Sequence, residues 1–112
     1  MNNADPSALF KPYLIWVLAP HLESEDPNLQ YYYDFTQSIK EYTQVFAELG
    51  ADWKWQPVTV DNFREIIQSI PTQSNGKTPL VLNLCDGDEV NGTPGVSVIH
   101  ELEKLNLIYT GS

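Results

Sequence analysis

The sequence predicts one α/β domain: three layers, with helices on the two faces of a four-stranded, mainly parallel sheet. Three observations lead to that class. Short apolar runs of strand length recur along the chain, stripes with helical period lie between them, and the two kinds of segment alternate strictly. Strands separated by helices need crossover connections, which produce parallel pairing with helices packed on the sheet.

Residues 1–11 are polar and proline-bearing at their start and are expected to be a flexible tail, so the folded domain is placed at 12–112. Residues 12–19 form a continuous apolar run rich in aromatic and β-branched side chains, as suits a strand buried on both faces. Residues 20–28 carry His21, Glu23, Glu25, Asp26 and two prolines, a composition for a surface loop leaving that strand. Tyr31, Phe35, Ile39, Tyr42, Phe46 and Leu49 then recur at steps of three and four, which places them on one side of a helix facing the core. Gly50 stands where a left-handed residue would close that helix.

Residues 53–60 predict the second strand, with Trp53 and Trp55 on one face and Pro57 marking it as short or at an edge. Asp61 is expected to cap a helix whose apolar face is Phe63, Ile66, Ile67 and Ile70 and which Pro71 stops. Residues 72–78, with Ser74, Asn75 and Gly76, have the composition of a flexible turn. The third strand is expected at 79–85, followed by a loop at 86–93 holding three acids and two glycines. Pro94 fits the first turn of the third helix, whose buried face is Val98, Ile99, Leu102 and Leu105 and which Asn106 terminates. Residues 107–109 complete the sheet as a short fourth strand. The order is that of a Rossmann-like or flavodoxin-like domain.

Composition narrows the partners. With 6 Lys and Arg against 15 Asp and Glu, the net charge of −9 repels phosphate backbones and anionic lipid, so nucleic-acid and membrane binding are disfavoured. The longest apolar run is too short to span a bilayer, and the amino terminus lacks the basic start of a secretory signal. Cys85 is the only cysteine, which rules out an internal disulfide and fits a reduced, cytoplasmic setting. A homodimer stays open.

In open parallel sheets ligands gather at the carboxyl ends of the strands, which selects the loops 20–28 and 86–93. Glycines 87, 92 and 95 would let backbone N–H groups approach an anion at the start of the third helix, but Asp86, Asp88 and Glu89 on the same loop oppose a phosphate. The run from Asp86 to Gly92 lacks the spacing of a calcium loop, since Val90 stands at its fifth position. Nucleophile elbows, zinc-protease helices and phosphate-binding P-loops are absent. His21 falls in a loop, His100 lies off the apolar stripe of its helix, and Cys85 has no basic neighbour in sequence to lower its pKa, so a buried structural role is expected for the thiol.

The segments Leu80-Val-Leu-Asn-Leu-Cys-Asp-Gly87, Gly92-Thr-Pro-Gly95 and Leu102 to Ser112, which ends Tyr-Thr-Gly-Ser, together resemble the amino-terminal domain of D-alanine-D-alanine ligases. Departures accompany the match: Asp86 stands at a histidine position of that family, Pro94 at a glutamine and Ile108 at a proline, while Ala19-Pro20 replaces a glycine pair. The resemblance implies a pre-ATP-grasp domain of a larger ATP-dependent, magnesium-dependent enzyme that joins a carboxylate to an amine through an acyl phosphate. In such enzymes the later ATP-grasp domains hold nucleotide and metal. This chain alone is therefore expected to bind neither ATP nor magnesium and to be inactive, contributing the walls of a small amino-acid-like substrate's site. The residues assigned to that substrate are Glu23, Glu25, Asp86, Gly87, Asp88 and Glu89. The alternative is a free-standing, non-catalytic binding module of the same fold.

Overall fold

Tyr13–Pro20 forms β1, and from Leu14 onward every residue of it is buried. A strand without a polar face cannot lie at a sheet surface or edge, and β1 takes a central position between two parallel neighbours. The computed structural model describes residues 6–22, 27, 34–87, 89 and 92–111. Its remaining elements are α1 (Pro6–Phe10), α2 (Thr36–Leu49), β2 (Asp52–Val58), α3 (Phe63–Ser69), β3 (Thr78–Asn83), α4 (Val96–Lys104) and β4 (Ile108–Thr110). The sheet order is β2-β1-β3-β4 and every pairing is parallel, so the sheet is wholly rather than mainly parallel.

Alternation along β1 divides the core in two. Leu14, Trp16 and Leu18 point to one face, where they meet Phe63, Ile67 and Ile70 at α3 and Val98 and Leu102 of α4. Ile15 and Val17 point to the other, against Phe46, Tyr42 and Leu49 of α2 and the paired Trp53 and Trp55 of β2. The helical stripe read from the sequence is thus core from Tyr42 to Leu49, with Ile39 half-buried, while Tyr31 lies outside the described residues. Its rings pack on one another: Tyr42 stacks on Phe46 with centroids 5.7 Å apart, and Phe46 tilts against Trp53 at 5.2 Å. Such contacts add about 1 kcal/mol each to the burial of the rings. Gly50 closes α2 at φ 65° as expected.

Several boundaries differ from the sequence reading, each for a local reason. Pro6–Phe10, inside the segment expected to be a tail, is a short helix, and Phe10 packs against the α2-side core. The residue before α3 is Asn62 rather than Asp61, and neither side chain caps the helix. Thr59 organises that entry instead: its Oγ1 accepts the backbone N–H groups of Asp61 and Asn62 (both 3.2 Å), and its own N–H donates to Asn62 Oδ1 at 2.7 Å. Pro94 stands ahead of α4, not in its first turn, because Gly95 takes the flanking position. Asn106, at φ 56°, follows α4 in the left-handed conformation expected of it. Pro57 falls on β2, an edge strand that pairs only with β1, where a missing donor is tolerated.

The turn at 72–78 holds more than its composition suggested. Ser74 is fully buried: its Oγ accepts the indole N–H of Trp16 at 3.0 Å and donates to the Ile70 carbonyl at 2.6 Å. One hydroxyl therefore supplies the acceptor that lets Trp16 enter the core of the central strand. Lys77 pairs with Asp52, joining this turn to the start of β2. Replacing Ser74 by alanine leaves a buried indole N–H without an acceptor, at a cost of about 1–3 kcal/mol. Urea denaturation of Ser74→Ala is expected to show that loss, and a midpoint equal to that of the parent chain would contradict the role given to this hydroxyl.

Candidate functional site

The first connection carries the chain outward from β1 to β2 over the α2 face. The second passes back across β1 to β3 on the α3 face. A change of direction of this kind opens a crevice above the carboxyl end of the central strand, the usual ligand position in open α/β sheets.

Above β1 the chain continues through His21 and Leu22. The His21 N–H donates to the Val58 carbonyl at 2.8 Å, fastening the exit of β1 to the end of β2. The β2–α3 turn, residues 59–62, rises beside it, held by the Thr59 bonds described above. Together with Gly92 from the β3–α4 loop, these residues enclose an open cleft of about 450 Å³. A smaller hollow of about 190 Å³ lies on the α2 side of His21, bounded by Asp34, Phe35 and Trp55. Asp34 is fixed there by Thr36, whose hydroxyl and backbone N–H donate to its Oδ1 at 2.5 and 3.0 Å and hold the carboxyl below its ordinary range.

The exit of β3 is built differently. Leu84 N–H donates to the Leu18 carbonyl at 2.9 Å, and Cys85 N–H donates to Asn83 Oδ1 at 3.0 Å, so the chain stays pinned to the sheet beyond the end of the strand. Gly87 N–H then donates to the Pro94 carbonyl at 3.1 Å, closing the loop at its neck. Gly87 and Gly95 are in backbone contact: a Cβ on Gly95 would overlap the Gly87 carbonyl, and one on Gly87 would overlap the Thr93 side chain and the Pro94 carbonyl. Neither position has room for a side chain.

Of the residues assigned to a substrate from the sequence, Glu23, Glu25 and Asp88 lie outside the described residues. Asp86 is exposed and Gly87 half-buried, adjacent in the β3 exit. Glu89 turns toward α4, where its Oε1 accepts the Ser97 hydroxyl at 3.0 Å and lies 3.4 Å from the Ser97 N–H. An internal carboxylate thus sits at the first turn of α4, where the helix dipole favours negative charge. His100 is exposed on α4, while His21 borders both hollows. Thr59, Asp61 and Asn62 carry no site assignment from the sequence. Applying the rule about carboxyl ends to β2 as well as to β1 and β3 would have found them.

Cys85 is fully buried, and burial, reinforced by the negative charge of Asp86, pushes its thiol up to about 12. The residue is a small apolar piece of the α3–α4 core and not a nucleophile. On β4, Tyr109 donates its hydroxyl to Glu103 Oε1 at 2.7 Å, which raises the phenol above its ordinary range.

No family model, curated protein or solved structure matches the chain.

Two outcomes are expected from this geometry. Gly87→Ala and Gly95→Ala should each lower the thermal midpoint by several degrees, whereas Gly76→Ala, strained at φ +75° but in open space, costs only about 1 kcal/mol; equal losses at all three would remove the argument from close approach. The Cys85 thiol keeps its proton longer folded than unfolded, so its contribution is complete below the ordinary value of 9.0 and is lost as pH rises toward about 12. Denaturation curves across that window are expected to fall more steeply for the parent chain than for Cys85→Ala, and parallel curves would show that the thiol is not buried as described.

Proposed function

We propose that the chain is the amino-terminal, substrate-side domain of an ATP-dependent ligase that joins a carboxylate to an amine, similar to D-alanine-D-alanine ligases. One observation carries the reading beyond sequence. The segments on which the resemblance rests meet at one corner of the sheet: Gly87 touches Gly95, and Gly111, at φ 102°, lies so close to Asn83 that a Cβ there would overlap the Asn83 carbonyl. Residues far apart in the chain thus form one packed unit at the exits of β3 and β4. A motif built on close backbone approach needs that arrangement.

In this reading the chain supplies walls for an amino-acid-like substrate from the carboxyl ends of β1 and β3, with Asp86 and the Gly87 backbone on the β3 side. Nucleotide and magnesium are assigned in this reading to other domains of the enzyme, and no step through them is given to this chain; the first turn of α4 already holds the Glu89 carboxylate. The lone buried thiol and the proposed activity support a cytoplasmic setting. No helix among the described residues is long and apolar enough to cross a membrane.

The test is made on the protein expressed from the whole reading frame that encodes this chain. Phosphate release from ATP and magnesium is followed with pairs of D- and L-amino acids, and the products are identified by mass. Amino-acid-dependent phosphate release with dipeptide formation is expected, and Asp86→Ala should raise the KM for one amino acid about threefold or more. A reading frame that ends at Ser112, or absence of turnover with every pair, would remove the ligase.

A further inference from the structure

We infer that the cleft between His21, the β2–α3 turn and Gly92 binds a small organic ammonium group, with the Asp61 carboxylate as its acceptor. This goes beyond the ligase reading, which draws its substrate residues from the β1 and β3 exits and assigns nothing to the β2–α3 turn.

The position of Asp61 is fixed while its charge is not engaged. Its backbone N–H is held by Thr59 Oγ1, and Asn62 beside it is bound on both its N–H and its Oδ1, so the turn presents the carboxylate from a rigid base. Asp61 is an exposed residue lining the cleft, and its carboxylate has no hydrogen-bond or ion-pair partner among the described residues. The nearest cation in sequence is spoken for elsewhere. Arg64 lies with its guanidinium 4.6 Å from the centre of the Phe63 ring, and its Nε is 3.9 Å from Glu101. Among the described residues no Lys or Arg lines the cleft.

The remaining walls set the class of ligand. Leu22 and Val60 give the cleft apolar lining, while His21, Thr59 and Asn62 add polar residues to it beside Asp61. A volume of about 450 Å³ is within the range of small-molecule sites. An unpaired carboxylate at the rim of a half-apolar cleft takes a primary ammonium carried on a short alkyl arm, the ammonium donating to Asp61 and the alkyl group lying toward Leu22 and Val60. The net charge of −9 raises the local concentration of such a cation and excludes an anion.

Titration of the isotopically labelled 112-residue chain with ethylammonium, at low ionic strength and without nucleotide, tests this by amide chemical shifts. Saturable shifts are expected at His21, residues 59–62 and Gly92, with none from acetate under the same conditions. Asp61→Asn, a near-isosteric change at an exposed site, should keep the fold by circular dichroism and weaken the apparent affinity about fivefold. Unmoved amides, equal shifts from acetate, or a variant that binds ethylammonium as tightly as the parent would each overturn the assignment. Failure here leaves turnover by the full reading frame untouched, because no ATP-dependent step enters the measurement.

Discussion

A strand buried on both faces must find hydrogen-bond partners for its whole backbone, since no water reaches it to supply them. That requirement governs this molecule through β1. Residues Leu14 to Pro20 pair with β2 on one side, and Tyr13 to Leu18 pair with β3 on the other. Alternate side chains of the same strand then demand apolar cover above and below. Phe46 and its aromatic neighbours supply it on one face, and the Ile67 and Leu102 contacts supply it on the other. Even Trp16, the one buried side chain of the strand with a polar atom, enters only because Ser74 stands ready to accept its N–H. The layers follow from satisfying one strand.

The same demand determines where the hollows are. Flanking β1 on both sides forces one connection to turn outward and the next to pass back over it, so the chain separates above the strand's carboxyl end and leaves space there. What fills that space comes from short segments pinned close to the sheet. His21 is bonded to the end of β2, Leu84 to β1, and residues 59–62 to one another. The rim of the cleft is therefore a set of anchored turns, each fixed by backbone or Thr and Asn side-chain bonds, with charges carried on top of them. Glu89 shows the opposite use of a carboxylate: it turns inward to Ser97 and serves a helix end.

Much of this is legible in the amino-acid order. The uninterrupted apolar run of β1 implies its central place, the stripe from Ile39 to Leu49 implies the helix on one face, and Pro57 implies the edge, because each reflects a periodicity or a missing donor that acts locally. Position in the chain says less where a side chain's partner is remote. Nothing in the composition of 72–78 reveals that Ser74 serves Trp16, 58 positions away. Asp61 has the look of a helix cap because it precedes an apolar stripe, yet Thr59 provides the turn and releases Asp61 to the rim. Likewise, the acids of the β3–α4 loop are equivalent in sequence, while Asp86 is exposed and Glu89 is engaged with Ser97.

The contact between Gly87 and Gly95 separates two things that loops usually combine, the path of the chain and the placement of the next element. Because the two arms of the loop meet at that neck, α4 is docked by the neck and by its own core face, with the Glu89 carboxylate on Ser97 as one further tie. The ends of the intervening segment are already together, so lengthening it adds little closure entropy. Insertions or grafted recognition sequences placed there, away from Glu89 and the buried Thr93 and Pro94, would leave the register of α4 against β3 unchanged, whereas a single methyl group at either glycine would not. The neck tolerates changes of length and refuses changes of width.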